Sequence, residues 1–232
     1  MMHSLPEGYR ALVLGASGAI GSALLQRLQS DPRCASVCGV SRQSTPGLDL
    51  LDEPSLAACA QALAGQGPFH LVLDATGVLT LNGRGPEKRL DELDATHLLN
   101  AMHLNAVGPG LLLKHFAPLL ASGQRVIWGK LSARVGSIED NRKGGWYGYR
   151  AAKAALNMLL QTAAIELSRR RPLLVVAALQ PGTVQSALSQ PFVGQDALHP
   201  DASAQRLLAT LDGLQPTGRA QFVDHQGQHI PW

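Results

Sequence analysis

The sequence predicts one α/β domain over residues 1–232, in which a largely parallel sheet of about seven strands carries helices on both faces. Short apolar runs of strand length alternate along the chain with longer runs of helical periodicity, which is the order of elements in a doubly wound sheet. The run Leu173–Leu179 is apolar throughout, as is typical of a strand buried on both faces of a parallel sheet. A chain of 232 residues also suits a single domain of this class.

Seven runs have the length and composition of strands. Each is mostly apolar and is bounded by glycine, proline or polar residues that favour turns. The shortest run, which begins at Gly47, is predicted as the third strand. In chain order the predicted strands are Arg10–Leu14, Ser36–Val40, Gly47–Leu50, Phe69–Asp74, Gln124–Leu131, Leu173–Leu179 and Ala220–Asp224, the last at an edge of the sheet.

Helices are predicted between these strands, where leucine and alanine recur at helical spacing. Asp52 and Glu53 begin the second helix and suit the positive end of its dipole. The polar segment Asn82–Arg89 is predicted to be an exposed loop. The predicted helices are Ser22–Gln29, Asp52–Leu63, Leu90–Leu120, Ala151–Ser168 and Ala202–Leu214.

The long third helix should be kinked or interrupted near its middle. Pro109 removes a backbone hydrogen bond there, and Gly110 follows it. Asn105 precedes this point, so its side chain either bonds a freed carbonyl or a water, or is an ordinary surface group.

Composition excludes several classes of function. The net charge is +3 with both signs interspersed, and 4% of residues are aromatic, so no nucleic-acid surface is expected. Apolar runs are too short to cross a bilayer, and Met1–Arg10 lacks the apolar core of a secretion signal. Cys34, Cys38 and Cys59 are an odd number without metal-type partners, which indicates a reduced, cytoplasmic protein.

Metal binding is not expected either. The eight histidines are scattered along the chain with no shared spacing. His115 is therefore interpreted as packed or solvated, and no metal ligand is assigned.

A glycine loop follows the first strand directly. Gly15, Gly18 and Gly21 are spaced three apart and lead into a helix. Gly15 permits a tight turn, a residue without a side chain lets the backbone approach a pyrophosphate, and the helix N-terminus offers N–H groups to an anion. The loop predicts a dinucleotide site, and the alternative is a glycine-rich turn without a ligand.

The end of the second strand predicts which dinucleotide is bound. In Rossmann folds an acidic residue there binds the ribose 2′-hydroxyl of NAD, whereas an arginine accepts the 2′-phosphate of NADP. This chain has Ser41 and Arg42 at that place and no carboxylate. NADP(H) is therefore favoured over NAD(H), and the alternative is a solvated arginine.

Tyr149 and Lys153 lie four residues apart at the start of a predicted helix. One helical turn places them on one face, about 6 Å apart along the axis. A neighbouring cation favours the phenolate, so we expect the pKa of Tyr149 to fall below its usual value, into a range useful for proton transfer. The alternative is an exposed, solvated pair.

Together these features resemble the short-chain dehydrogenase/reductase family, and within it the small C-factor-like and sniffer-like carbonyl reductases. The resemblance covers nearly the whole chain. Besides the glycine loop and the Tyr149-x-x-x-Lys153 pair, it rests on Asp49-Leu50, Asp74-Ala75-Thr76-Gly77, Asn105 to Pro109, Ser132 to Ile138, Gln180-Pro181-Gly182-Thr183-Val184, and the tail Gly227 to Trp232.

The resemblance implies roles for four residues in catalysis. Tyr149 would donate a proton to a carbonyl as hydride arrives from the nicotinamide. Lys153 would lower the pKa of Tyr149 and bind the nicotinamide ribose, and Asn105 would hold a water linked to Lys153. The family's catalytic serine falls at Ala133 in a strict alignment, so Ser132, one residue earlier, is the candidate for that role.

The resemblance also implies a cofactor site and a substrate. Pro181–Val184 would lie against the nicotinamide, and a carbonyl or alcohol of small size would be the substrate. Gln185–Asp201 is polar and broken by proline, and is interpreted as a substrate lid, with an ordinary surface connection as the alternative. The expected cofactor-binding residues are Gly15, Ser17, Gly18, Ala19, Ile20, Gly21, Ser41, Arg42, Asp49, Leu50, Ala75, Thr76, Gly77, Tyr149, Lys153, Pro181, Gly182, Thr183 and Val184.

The chain departs from the family pattern at three places. Ala19 stands where many members have the middle glycine, and Asp74 and Thr76 alter the usual Asn-Asn-Ala-Gly. With Ala133, these departures leave open a nucleotide-binding regulatory protein with little or no turnover. An epimerase or dehydratase with the same Tyr–Lys pair is a weaker alternative, and a homodimer or homotetramer is expected by resemblance.

Overall fold

The computed structural model describes residues 1–186 and 197–232. Within them the chain forms one parallel sheet of six strands, close to the seven predicted. The spatial order is β2-β1-β3-β4-β5-β6. The strands are β1 (Tyr9–Leu14), β2 (Cys34–Val40), β3 (Leu71–Asp74), β4 (Val126–Leu131), β5 (Leu174–Gln180) and β6 (Ala220–Asp224).

Helices cover both faces of the sheet. Helices α1 and α6 contribute Leu24 and Leu207 to the core on one face. Helices α2, α4 and α5 contribute Leu56, Leu112 and Leu156 to the core on the other. The helices are α1 (Ala19–Gln29), α2 (Glu53–Leu63), α3 (Ala95–Met102), α4 (Gly108–Phe116), α5 (Tyr147–Ser168) and α6 (Pro200–Gly213).

The central strands are buried on both faces because their side chains alternate between the two cores. In β4, Val126 and Trp128 belong to the core beside α5, whereas Ile127 belongs to the core beside α1. The first six residues of β5 are all buried, which confirms the prediction of a strand enclosed on both sides.

The third predicted strand is wrong. The segment Gly47–Leu50 bonds to its own neighbourhood: the Leu48 N–H donates to the Ser41 carbonyl at 3.0 Å, and the Ser55 hydroxyl donates to the Gly47 carbonyl at 3.1 Å. Leu48 and Leu50 are apolar because they fill the core from a loop. β2 is therefore an edge strand, and β6 forms the other edge as predicted.

The predicted break in the long third helix is confirmed. A π turn over His103–Val107 separates α3 from α4, and Pro109 is the second residue of α4. Because proline has no N–H, it is tolerated in the first turn of the new helix.

The topology places the ends of several strands together. The strand order reverses between β1 and β3, so the connections after these two strands diverge and leave a crevice at the carboxyl edge. Within the described residues, no helix is both long enough and apolar enough to span a membrane.

Candidate active site

The three glycines of the loop after β1 have different surroundings. Gly15 has φ +81°, and a Cβ there would lie 3.0 Å from the Ala75 carbonyl carbon. A Cβ on Gly21 would lie 2.2 Å from the Gly15 oxygen, so this position holds the helix against the loop. Gly18 has no such neighbour nearer than 3.5 Å. Gly15 makes the turn, Gly21 permits close packing, and Gly18 leaves space where a ligand can approach the backbone.

Helix α1 begins beside this open space. Gly18 is its N-cap, and its first turn has no acidic residue and, in the described part of the chain, no side-chain cap. The N–H groups of Ala19, Ile20 and Gly21 precede the first intrahelical bond, which Ser22 donates to the Gly18 carbonyl at 2.8 Å. Backbone N–H groups and the positive dipole end thus meet where a phosphate would lie.

Ser41 and Arg42 follow the end of β2, next to the glycine loop. The Val40 carbonyl accepts hydrogen bonds from the N–H groups of Gly15 and Ala16, at 2.8 and 3.0 Å, which joins the two segments. The Ser41 hydroxyl accepts from the Gln43 N–H at 3.2 Å. Arg42 is exposed and has no ion-pair partner among the described residues.

Asp49 and Leu50 lie in the loop between β2 and α2. The Asp49 carboxylate accepts a hydrogen bond from the Leu51 N–H at 3.0 Å. Leu50 is buried against α4, where a Cβ on Gly108 would lie 2.8 Å from the Leu50 Cβ. The structure gives Leu50 a role in the core.

Tyr149 and Lys153 lie on one face of α5, as predicted. The Lys153 Nζ is 5.5 Å from the centre of the Tyr149 ring and donates to the Leu131 carbonyl at 3.2 Å. A short turn beyond β4 supports this arrangement, because a Cβ on Gly136 would lie 2.8 Å from the Lys153 Cβ. Lys153 is 3% exposed, so its ammonium group is enclosed.

The predicted direction of the Tyr149 pKa shift is wrong for this arrangement. Burial raises the pKa of Tyr149 to about 12. Burial, together with the nearby Lys130 cation, lowers the pKa of Lys153 to about 7, although Asp74 opposes this. The lysine that was expected to stabilise the phenolate is thus itself only partly charged near neutral pH, and desolvation of the phenol prevails.

Asn105 lies in the π turn and is buried, so its interpretation as an ordinary surface group is wrong. Its Nδ2 donates to the Ala101 carbonyl at 3.1 Å, and its Oδ1 accepts from the Val78 N–H at 3.0 Å. Gly77 lies between the two site residues: a Cβ there would be 3.2 Å from the Asn105 Oδ1 and 3.4 Å from the Lys153 Nζ. The segment after β3 therefore links Asn105 to Lys153.

Ser132 lines the cavity described next, but its hydroxyl already has a partner within the protein. Its hydroxyl is buried and donates to the Asn157 Oδ1 at 2.7 Å, so in this arrangement its proton does not point to a substrate. Asn157 lies one turn beyond Lys153 on the buried face of α5. Ala133 lines the cavity described next, so the structure supplies no serine hydroxyl at the place given by strict alignment.

A cavity of about 660 Å³ opens beside Tyr149. This volume is within the usual range for a small-molecule site, about 300–1,000 Å³. It lies where α1, the end of β4, the start of α5 and the segment after β5 meet. Its lining includes Ile20, Ala133, Trp146, Tyr149, Pro181 and Val184. Residues from the expected catalytic and cofactor sets thus share one cavity.

The segment after β5 is shaped by a glycine turn. Gly182 has φ +83°, and its N–H donates to the Gln180 Oε1 at 2.9 Å. Val184 then pairs with Leu198 as an isolated bridge. Most of the predicted lid, residues 187–196, lies outside the described residues. The predicted last helix begins earlier than expected, at Pro200.

Sequence reasoning missed a buried ionic cluster next to this site. The Lys130 Nζ lies 2.8 Å from the Asp74 Oδ1, 2.7 Å from the Thr76 carbonyl and 2.9 Å from the Thr76 hydroxyl oxygen. Lys130 and Asp74 are each 1% exposed. The only sequence signal for this cluster was Lys130 itself, a single lysine within the mostly apolar predicted strand.

Glu87 was missed as well, because the segment Asn82–Arg89 was predicted to be exposed. Pro86 and Glu87 are buried, and the Glu87 carboxylate accepts from the Gly148 N–H, at the start of α5, at 3.0 Å. The exposed-loop prediction is therefore wrong at these two residues. Glu87 is buried because its carboxylate accepts a hydrogen bond from an N–H group at the start of α5.

His115 lies 3.0 Å from the Glu53 carboxylate and does not line the cavity beside Tyr149. Among the residues that the structure describes, no three His, Cys, Asp or Glu side chains come together as a metal site would need.

The chain matches a family model described as enoyl-(acyl carrier protein) reductase over residues 32–220. It is 29% identical to the 1-hydroxy-2-glutathionyl-2-methyl-3-butene dehydrogenase of Rhodococcus sp. (strain AD45), covering 95% of this chain and 98% of that protein. It is 32% identical to the C-signal protein of Myxococcus xanthus, covering 72% of this chain and 94% of that protein.

A solved structure is similar over the whole fold. The NADPH-bound carbonyl reductase from chicken fatty liver superposes with a TM-score of 0.84 at 21% identity, covering 98% of this chain and 100% of that one. The similarity to this solved structure shows that the two chains share one fold. The chain belongs to the short-chain dehydrogenase/reductase family, and it is an oxidoreductase of the NAD(P)-dependent kind.

Proposed function

We propose that the protein is an NADPH-dependent carbonyl reductase or alcohol dehydrogenase in which Tyr149 is the proton donor and acceptor. The observation that carries the proposal is the position of Tyr149, which lines the same cavity as Ile20 of the glycine-loop helix and has the Lys153 Nζ 5.5 Å from its ring centre. In this proposal the cofactor and substrate sites would be contiguous at the carboxyl edge of the sheet.

The residues present fit a dinucleotide. Gly18 leaves the backbone open to a pyrophosphate, and α1 offers uncapped N–H groups at that place. When bound, the nicotinamide supplies the hydride that reduces the carbonyl carbon. Arg42 beside Ser41 would bind the 2′-phosphate that distinguishes NADPH from NADH.

Tyr149 supplies the proton that completes the reduction. With a pKa of about 12 its phenol is protonated at neutral pH, and the O–H bond breaks as the substrate oxygen gains the proton. Lys153, with a pKa of about 7, can then return a proton to the phenolate. Oxidation of an alcohol runs the same transfers in reverse.

The test is a fluorescence titration with NADPH and separately with NADH, followed by a panel of carbonyl compounds monitored for nucleotide oxidation. Tight NADPH binding with turnover on any carbonyl is the expected result. Absence of nucleotide binding would overturn the proposal.

A second candidate is a nucleotide-binding regulatory protein with little turnover. It is favoured by the donation of the Ser132 hydroxyl to Asn157 and by the alanine at position 133, since in this arrangement neither residue would donate a proton to a substrate oxygen. Loss of one such donor costs about 2.7–4 kcal/mol at oxyanion sites. Tight NADPH binding without turnover across the panel would support this candidate.

We propose that residues 1–232 act as one domain and that two copies associate through α4 and α5. The cysteines Cys34, Cys38 and Cys59 are free thiols, which agrees with a reduced, cytoplasmic environment.

A further inference from the structure

We propose that Lys130 is a positioning residue for Lys153: by bridging Asp74 and Thr76 it holds the turn after β3 against the Lys153 ammonium group and Asn105. This rests on the proposed function, in which Lys153 serves Tyr149.

The position of Lys130 follows from strand geometry. Side chains alternate along β4, so Lys130 points to the same face as Val126 and Trp128, toward the core beneath α5. Asp74 is its partner across the parallel ladder between β3 and β4. Asp74 is the last residue of β3, and Lys130 is the last but one of β4. The ionic pair therefore lies at the carboxyl end of the sheet.

Lys130 fixes the turn by several short contacts. Its Nζ donates to the Asp74 Oδ1 at 2.8 Å and to the Thr76 carbonyl at 2.7 Å. The same Asp74 oxygen accepts from the Thr76 N–H at 2.9 Å and from its hydroxyl at 2.6 Å. The backbone of Thr76 is therefore held on both its N–H and its carbonyl side.

The residues after Thr76 lie directly against Lys153 and Asn105. Gly77 follows Thr76 directly with φ +144°, and it lies so close to Lys153 that a Cβ would be 3.4 Å from the Nζ. The next residue, Val78, donates its N–H to the Asn105 Oδ1 at 3.0 Å. A displacement of Thr76 would therefore move the backbone that separates Asn105 from Lys153.

Stability alone is a poor account of this cluster. Burying an ion pair costs desolvation that often exceeds the gain from the attraction. The second carboxylate oxygen of Asp74 is buried and has no hydrogen-bond partner among the described residues. A pair of neutral residues would satisfy this part of the core with less desolvation.

The cluster also acts on Lys153 through its charge. The charged and titratable groups that face Lys153 are Lys130 from β4, Asp74 from β3 and Tyr149 from its own helix. The Lys130 cation lowers the pKa of Lys153 more than the Asp74 carboxylate raises it. Removal of both charges should therefore raise the pKa of Lys153 above its value of about 7.

The test compares the wild type with the double variant Lys130→Met/Asp74→Asn, which removes both charges and leaves neither buried alone. The Lys153 ammonium is titrated by NMR in protein with ¹³C-labelled lysine, and its resonance is assigned with Lys153→Arg. The midpoint is expected to rise in the double variant, and kcat to fall about tenfold, or about 1.4 kcal/mol in the barrier.

Asp31→Asn is the matched control, because it neutralises another buried carboxylate, which bonds Tyr9 and Met2. It should leave the Lys153 midpoint unchanged. An unchanged Lys153 midpoint in the double variant, or a fall in thermal stability with kcat and midpoint unaltered, would overturn the proposal. The titration needs no turnover, so an inactive wild type would contradict the proposed function without preventing a decision on Lys130.

Discussion

Among single side chains, Tyr149 gives the most direct prediction. Tyr149→Phe removes the phenolic proton but no expected contact with the dinucleotide phosphates. We expect kcat to fall about 10²–10⁴-fold, the usual contribution of a general acid, while the Kd for NADPH stays nearly constant. Steady-state kinetics and a fluorescence titration measure the two quantities.

Tyr147→Phe is the control, since it makes the same change two residues earlier in α5. Comparable kcat in Tyr149→Phe and the wild type would exclude Tyr149 as the proton donor.

Arg42 gives a second prediction at this scale. Because Arg42 is exposed beside the glycine loop, Arg42→Ala should weaken NADPH binding about tenfold or more, as expected for the loss of a charge-assisted hydrogen bond worth about 1.5–3 kcal/mol. NADH lacks the 2′-phosphate, so its Kd should change little. Arg89→Ala, at an exposed arginine in another loop, serves as the control. Equal losses for both nucleotides would mean that Arg42 does not contact the 2′-phosphate.

The sequence could predict that Tyr149 and Lys153 share a helix face, because their spacing carries that signal, and that the helix is interrupted near Asn105, because Pro109 follows it. It could not predict the partner of Ser132, since Asn157 approaches it only through the docking of α5 on β4. The pKa direction for Tyr149 failed for a related reason. Burial depends on the whole site, whereas the spacing of two residues shows only their mutual distance.

Among the elements, the start of α5 depends on a distant carboxylate. Glu87 is buried, with its Oε2 3.0 Å from the Gly148 nitrogen, one residue before Tyr149, and its Oε1 3.8 Å from the His97 Nε2. A carboxylate at a helix N-terminus satisfies a free N–H and stabilises the positive end of the dipole.

Glu87→Ala should therefore lower the free energy of unfolding by about 1–2 kcal/mol, the upper part of the range for a lost cap. It should also lower kcat, because Tyr149 lies in the first turn that Glu87 holds. Urea unfolding and steady-state kinetics measure these effects. The neighbouring exposed Lys88→Ala is the control, and equal stability of the two variants would refute the capping role.

Most elements were predictable, because apolar runs and helical periodicity survive in the folded chain. Gly47–Leu50 shows the limit of this reasoning. Leu48 and Leu50 are buried as strand residues would be, yet they reach the core from a loop whose hydrogen bonds are local. An apolar composition indicates that a segment is buried. Whether the buried segment is a strand depends on the partners of its backbone hydrogen bonds.

At the scale of the whole molecule, the outer face of α4 and α5 is the expected contact between two copies. Met158 is 66% exposed, with Leu159 and Ile165 also exposed on the same helix. A concavity of about 840 Å³ lies between the helices and is lined by Gly110, Leu113 and Leu159 among others. Exposed apolar surface of this kind favours association.

Met158→Glu should therefore shift the protein toward the monomer, because a charge would be buried at the contact. Light scattering coupled to size-exclusion chromatography measures the mass. Leu90→Glu is the control, since Leu90 is 67% exposed but lies outside this face. A wild type that is monomeric at all concentrations would contradict the proposed association.

The fold class was predictable at this scale. The Lys130–Asp74 pair was not, because it depends on the register between β3 and β4, which no local pattern contains. A slip of one residue would turn Lys130 to the other face of the sheet.

That pair also restricts how the sequence can change over evolutionary time. Loss of either charge alone leaves the other buried and unpaired, at a cost of about 3–5 kcal/mol. The free energy of unfolding of a domain is only about 5–15 kcal/mol. A variant with one of the two charges lost would therefore lose a large part of its stability. Positions 74 and 130 should therefore change together, so that related chains with a neutral residue at one position have a neutral residue at the other.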